Sequence, residues 1–274
     1  MLKDNVVKAD SSKTEVISYQ TTYRDKSYQK QALVYLPANY DAKKQYDIIY
    51  LLHGSTDSAR VFYQNGNFKR VFDQLAKKGK LKDTIAVFPT YYPDNSFVTT
   101  DYFKDDPLNE AFAQRELVSD LLPAVESKYS TYAKDTTKKQ LRASRDHRAF
   151  GGFSMGAITT WYVFEKQLSY FSTYLPVAGD SWTITENGGG QASRRTAKKL
   201  AQTVTKEPKL KYQILAGVGE NDGTSSSMGS QLEAMRKLKA FDRKNLKYYQ
   251  VARQGHTIEA MVQSLEHYAD QIFK

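Results

Sequence analysis

The order of apolar runs predicts an α/β fold, with a mostly parallel central sheet covered by helices on both faces. Three observations carry that expectation. Short continuous apolar runs such as Asp47–Leu52 alternate with longer stretches of helical spacing. The runs stop at breakers, His53-Gly54 after the first and Pro89 after Thr84–Phe88. A chain of 274 residues, 40% hydrophobic and 26% charged, can bury a large core without cross-links.

Taken in order, Val16–Tyr23 and Gln31–Leu36 alternate apolar and polar residues as half-buried strands do, and Pro37 ends the second. Asp47–Leu52 reads as a buried parallel strand. Arg60–Lys78 has helical spacing through Val61, Phe62, Phe68, Val71, Phe72 and Leu75. Thr84–Phe88 is a strand, and the aperiodic, aromatic stretch Tyr91–Pro107 is a long loop. Ala113–Tyr129 is an amphipathic helix with a kink at Pro123. The polar, basic stretch Thr131–Arg145 is a surface connection. Arg148–Phe153 is a strand, Met155–Leu168 a helix, Tyr170–Val177 a strand, and Glu186–Gln191 a loose glycine-rich segment. Strands Lys211–Val218 and Leu246–Ala252 and helices Ser230–Phe241 and Ile258–Phe273 complete the chain. With no internal repeat or low-complexity tract, residues 1–274 read as one domain.

Composition removes several classes of function. There is no cysteine, so disulfides, thiolate metal sites and a cysteine nucleophile are excluded. The formal net charge is +10, but the lysines are scattered and no helix-turn-helix or RNP-type stretch accompanies them, so no nucleic-acid partner is expected. No run approaches the ~18 apolar residues of a membrane span, and no membrane partner is expected. The start, MLKDNVVKAD, lacks an apolar signal core. An extracellular location with the signal removed is the expectation, and a cytoplasmic one the alternative. The 20 tyrosines suit wet aromatic surfaces as well as half-buried strands.

The chemistry centres on Gly152-Phe153-Ser154-Met155-Gly156, a G-x-S-x-G motif between a predicted strand and a predicted helix. That context is the one in which a serine stands exposed on a sharp strand-to-helix turn, and it predicts Ser154 as the nucleophile of an α/β-hydrolase fold. A serine hydroxyl needs a base. Of His53, His147, His256 and His267, only His256 lies in the loop directly after the last predicted strand, Arg253-Gln254-Gly255-His256, in the order Ser, acid, His. His267 sits inside an amphipathic helix, and His147 precedes the nucleophile. The acid belongs between Ser154 and His256, after a strand, and the strand Lys211–Val218 ends in Gly219-Glu220-Asn221-Asp222. Asp222 is the first choice, Glu220 the nearest rival and Asp180 a weaker one whose other role is shaping the site. The acid would orient His256 and stabilise its imidazolium. An oxyanion hole needs two N–H donors. Met155 is the expected source of one, and Ser55, in the turn His53-Gly54-Ser55, of the other. A simple turn after a strand is the alternative for that segment, and His53 is structural in either case.

The stretch Ser144–Gly156 with Thr159-Thr160-Trp161-Tyr162-Val163 resembles the feruloyl esterase modules of bacterial xylanases, in carbohydrate esterase family 1 of the esterase D-like group. Tyr50–Gly54, Gly179-Asp180-Ser181-Trp182 and Gln231–Met235 extend the resemblance over most of the chain from about Lys30. It implies hydrolysis of esters between hydroxycinnamic acids and arabinose on xylan, with Ser154, Asp222 and His256 as the triad and no metal or organic cofactor. It places Trp182 and Asp180 at the acyl pocket, with Trp182 as a packed core residue the alternative, and Tyr91 and Tyr92 along the cleft. The chain departs from the pattern where Thr257 and Ile258 follow His256 in place of an aromatic residue, and where Gly223–Ser227 is small and polar. The competing functions are an acetyl-sugar, siderophore or thioester hydrolase of the same group, and a catalytically silent carbohydrate-binding protein on the same scaffold.

Overall fold

The structure is a computed structural model that describes residues 10–274. All but Asp10 of the stretch read for a signal core lies outside them. Lys13–Tyr23 (β1) and Lys26–Leu36 (β2) form an antiparallel hairpin in which Tyr23 pairs with Lys26. Arg24 and Asp25 both take positive φ (47° and 62°), the geometry a tight hairpin turn demands. β1 starts at Lys13 rather than Val16, and β2 at Lys26 rather than Gln31, because these opening residues are mostly exposed and carry little apolar signal.

Asp47–Leu52 (β3), Thr84–Phe88 (β4) and Arg148–Phe153 (β5) form with the predicted limits. Thr173–Val177 (β6), Gln213–Gly219 (β7) and Leu246–Val251 (β8) complete an eight-stranded sheet in the order β1-β2-β4-β3-β5-β6-β7-β8. β2 meets β4 antiparallel, and every pairing from β4 across to β8 is parallel. The chain builds outward from β3 first through β4 and then, on the other side, through β5. The crevice at the carboxyl ends of β3 and β5 is therefore the topological switch point, where open α/β sheets place their ligands.

The helices depart further from the expected pattern. The helix expected over Arg60–Lys78 is two, Ala59–Asn65 (α1) and Phe68–Lys77 (α2). Asn67 breaks it at φ 49°, and a Cβ on Gly66 would stand 2.3 Å from the Phe68 ring that folds back over it. Tyr91–Pro107 is not one loop: it contains 3-10 turns at Asn95–Phe97 and Tyr102–Asp105 and the start of Asp106–Ala111 (α3). α3 runs on through π-helical winding at Phe112–Leu121 into Leu122–Lys128 (α4). Pro123 has no N–H to continue an α-helical ladder, and the wider turn ahead of it, with Leu122 N–H on the Leu117 carbonyl, absorbs the mismatch.

Within the expected surface connection lies Lys138–Ala143 (α5), and Arg145 just after it is buried. Its guanidinium donates to the carbonyls of Leu168 (3.0 Å), Phe171 (2.7 Å) and Lys211 (2.8 Å), so a residue read as solvated ties three segments together. Met155–Gln167 (α6) is buried nearly all round beneath the site. The segment read as loose is a short ordered turn of helix, Gly188–Gln191 (α7). Ser193–Lys206 (α8) escaped the sequence reading because its buried stripe is Thr196, Ala197, Leu200 and Thr203, which is weakly apolar. Ser225–Arg236 (α9) and Ile258–Tyr268 (α10) close the fold, α9 starting and ending earlier than expected and α10 ending earlier. Among the described residues no helix is long and apolar enough to cross a membrane.

Candidate active site

β5 delivers Phe153 and α6 begins at Met155, leaving Ser154 alone on the corner at φ 58° and ψ −117°. A non-glycine residue there is strained, and the fold holds it by the Ser154 N–H bond to the Val177 carbonyl at 2.9 Å. The corner also needs Gly156: a Cβ there would lie 2.3 Å from the Leu52 carbonyl oxygen, which would push β3 away from the serine turn.

The loops after β7 and β8 bring the partners to that corner. Asp222 is buried and its Oδ2 accepts from His256 Nδ1 at 2.9 Å, while the Ser154 hydroxyl donates to His256 Nε2 at 2.9 Å. A carboxylate only accepts, so this bond fixes the tautomer that leaves Nε2 free to receive the serine proton. Burial pushes the Asp222 carboxyl up, but the bonds from His256 and from the Thr224 N–H and hydroxyl (both 2.8 Å) hold it below the ordinary carboxylate range. The rival carboxylates point elsewhere. Glu220 accepts the Arg253 N–H at 2.8 Å, and Asp180 accepts from Trp182 Nε1 (3.2 Å) and the Gly189 N–H (2.7 Å).

The turn after β3 lies against the same corner. Ser55 and Met155 both line the cavity at Ser154, and among the described residues neither N–H donates to a protein acceptor. His53 is wholly buried beneath them. Its Nδ1–H donates to the Gly54 carbonyl and its Nε2 accepts from the Thr90 hydroxyl, each at 2.7 Å, and burial pushes its pKa down to about 4, so it stays neutral. His147, on Asp47 at the start of β3, and His267, stacked on Tyr249, lie outside the constellation.

The cavity over Ser154 holds about 490 Å³. Phe153, Ile158, Trp182 and Tyr102 supply its apolar wall, and Asp180 is among its polar lining. Trp182 is both of the things weighed for it: its side chain is packed in the fold, and it faces the cavity. Phe103 stacks on it at 5.7 Å and Tyr102 stacks on Phe103 at 4.5 Å, making an exposed aromatic rim. Asp180 lines the cavity, but both its oxygens are engaged inside the protein and its effect is to fix Trp182. Gly223 lines the mouth beside Asp222, and a Cβ there would meet nothing within 4 Å, so this side is open. Tyr91 and Tyr92 are a correction. Both are buried with their hydroxyls on Asp105, and neither lines the cavity. The sequence placed them correctly at a strand end but gave no sign of which way they turn. Tyr102, which does line the cavity, sits in the aperiodic stretch that offered no pattern to read. Among the described residues no three His, Asp or Glu side chains gather as a metal site.

The serine corner at the switch point of a mostly parallel sheet is that of the α/β-hydrolase fold, and the chain is a serine hydrolase of that class. Residues 28–270 match the Esterase family model, and the chain belongs to that family. A solved structure described as FAE superposes with a TM-score of 0.83 at 30% identity, over 96% of this chain and 89% of that one. A feruloyl esterase module from Clostridium thermocellum complexed with sinapinate gives 0.81 at 30% identity, over 95% and 88%. Endo-1,4-beta-xylanase Y of Acetivibrio thermocellus is 34% identical over 224 residues, which is 81% of this chain. The chain spans only 19% of the length of that relative.

Proposed function

We propose that the chain hydrolyses hydroxycinnamoyl esters, of which feruloyl is the type, carried by plant cell-wall arabinoxylan. The observation that carries this reading is the Ser154–His256–Asp222 relay opening onto a cavity walled by Trp182 and Tyr102, with Phe103 stacked on Trp182. A planar aromatic acid suits a slot with ring faces on its wall. The likeness to a feruloyl esterase module solved with sinapinate supports the acyl group, and the likeness to a xylanase supports the polysaccharide.

The reaction is a two-step acyl transfer. His256 takes the Ser154 proton as the hydroxyl attacks the ester carbonyl. Negative charge gathers on the carbonyl oxygen and is held by the Ser55 and Met155 N–H groups, aided by the positive end of α6. The tetrahedral intermediate collapses and the sugar hydroxyl leaves with the proton from His256. Water then attacks the acyl-serine, His256 taking its proton and returning one to Ser154, and the free acid departs. The open side at Gly223 gives the sugar room beside Asp222. A polymer substrate of this kind places the enzyme outside the cell.

Trp182→Ala tests the acyl pocket. KM for methyl ferulate should rise about tenfold, the loss of one aromatic contact and its buried area, while KM for 4-nitrophenyl acetate changes less than about twofold. Equal changes on both esters would remove Trp182 from acyl recognition.

A further inference from the structure

Beneath the turn that carries Ser55 lies a polar cluster with no part in the acyl-transfer steps. Asp105 is wholly buried, and among the described residues no cation pairs with it. A carboxylate buried without a cation costs the fold stability, so packing alone accounts for it poorly. Its Oδ2 accepts from the Tyr91 hydroxyl at 2.9 Å and the Tyr92 hydroxyl at 2.8 Å. The Tyr92 oxygen, its proton directed to Asp105, accepts the Thr56 N–H at 3.0 Å. Thr56 is the residue after Ser55 and stands at φ 60°, a conformation that a β-branched residue keeps only when its surroundings impose it. From the other side His53, tilted against the Tyr91 ring at 4.8 Å and stacked on the Tyr92 ring at 5.7 Å, holds the Gly54 carbonyl. That carbonyl belongs to the same peptide plane as the Ser55 N–H, so the donor is gripped on both flanks.

We propose that Asp105 is a positioning residue for the oxyanion hole, acting through Tyr92 on Thr56 to aim the Ser55 N–H at the reacting carbonyl. The proposal rests on the reading that Ser55 supplies an oxyanion donor. It gives Tyr91 and Tyr92 a role behind the cleft: Tyr92 relays the grip, and Tyr91 fixes the carboxylate. Without the Tyr92 hydroxyl, Thr56 loses its acceptor and the strained turn can relax, withdrawing a donor that matters in the transition state far more than in the ground state.

The test uses the full chain with Tyr92→Phe, which keeps the ring and removes only the hydroxyl, and Asp105→Ala, which removes the acceptor of both tyrosines. Steady-state hydrolysis of methyl ferulate and 4-nitrophenyl acetate is measured beside the rate of inactivation by a fluorophosphonate, whose P=O needs the same donors. Tyr92→Phe should lower kcat about tenfold on both esters and slow inactivation in step, with KM within about twofold. Asp105→Ala should lower kcat at least as much, again with KM within about twofold, and wild-type kcat in it overturns the proposal as well. Wild-type kcat in Tyr92→Phe, or a loss carried by KM, overturns the proposal. Ser154→Ala, run alongside, separates the two levels: turnover surviving in it defeats the reading of the site itself, whereas a silent Ser154→Ala beside a fully active Tyr92→Phe defeats the positioning role alone.

Discussion

Ser154→Ala is expected to lower kcat on any ester the protein accepts by about 10⁴-fold or more, because residues that act as one unit fail together when the nucleophile goes. What remains is transition-state binding by the oxyanion donors. The fold should not notice. Alanine at position 154 inherits the same φ of 58°, with the same N–H bond to Val177, so the strain of the corner persists and the melting temperature should move little. Ester hydrolysis by purified variant and wild type, with a thermal melt of each, checks both halves. Substantial turnover in a folded Ser154→Ala would mean that the hydroxyl beside His256 is not the attacking group.

Asp222→Asn should cost nearly as much, about 10⁴-fold in kcat, through a proton on the wrong nitrogen. Oδ1 of Asp222 receives the Thr224 N–H and hydroxyl, and Oδ2 receives His256 Nδ1–H. An asparagine has one acceptor oxygen for these two sides. The backbone N–H of Thr224 cannot turn away, so the amide oxygen stays with it and the NH₂ faces His256. The imidazole then takes the tautomer that accepts at Nδ1, and its Nε2–H can no longer receive the serine proton. Glu220→Gln, by contrast, should leave kcat within about twofold, since that carboxylate serves only the Arg253 N–H. Reversal of the two results would move the acid from Asp222 to Glu220.

Much of this arrangement is legible in the sequence because it follows chain order. β3, β4 and β5 are buried on both faces, so they appear as continuous apolar runs with sharp ends, and the motif residues sit just past those ends. Asp222 is already the first choice over Glu220 and Asp180 from its place in the loop, and it is the one of the three carboxylates that reaches His256. α8 stayed hidden because threonine and alanine fill its buried stripe. The cavity wall was the least readable part. Trp182 came from a resemblance, Tyr91 and Tyr92 turned inward onto Asp105, and Tyr102 and Phe103 reach Trp182 only through the packing of an aperiodic stretch. Side-chain direction in such a stretch is set by long-range contacts, which carry no local period.

The acyl preference of the site is the central claim, and one ratio tests it: kcat/KM for 4-nitrophenyl ferulate against 4-nitrophenyl acetate, with Ser154→Ala as the background. The two esters share a leaving group, so the ratio reports the acyl side alone. A cavity walled by Trp182 and rimmed by Tyr102 should favour the feruloyl ester by about tenfold or more, the worth of one well-placed aromatic contact. Comparable values for the two esters would contradict the hydroxycinnamoyl assignment and leave a serine esterase of broad acyl range.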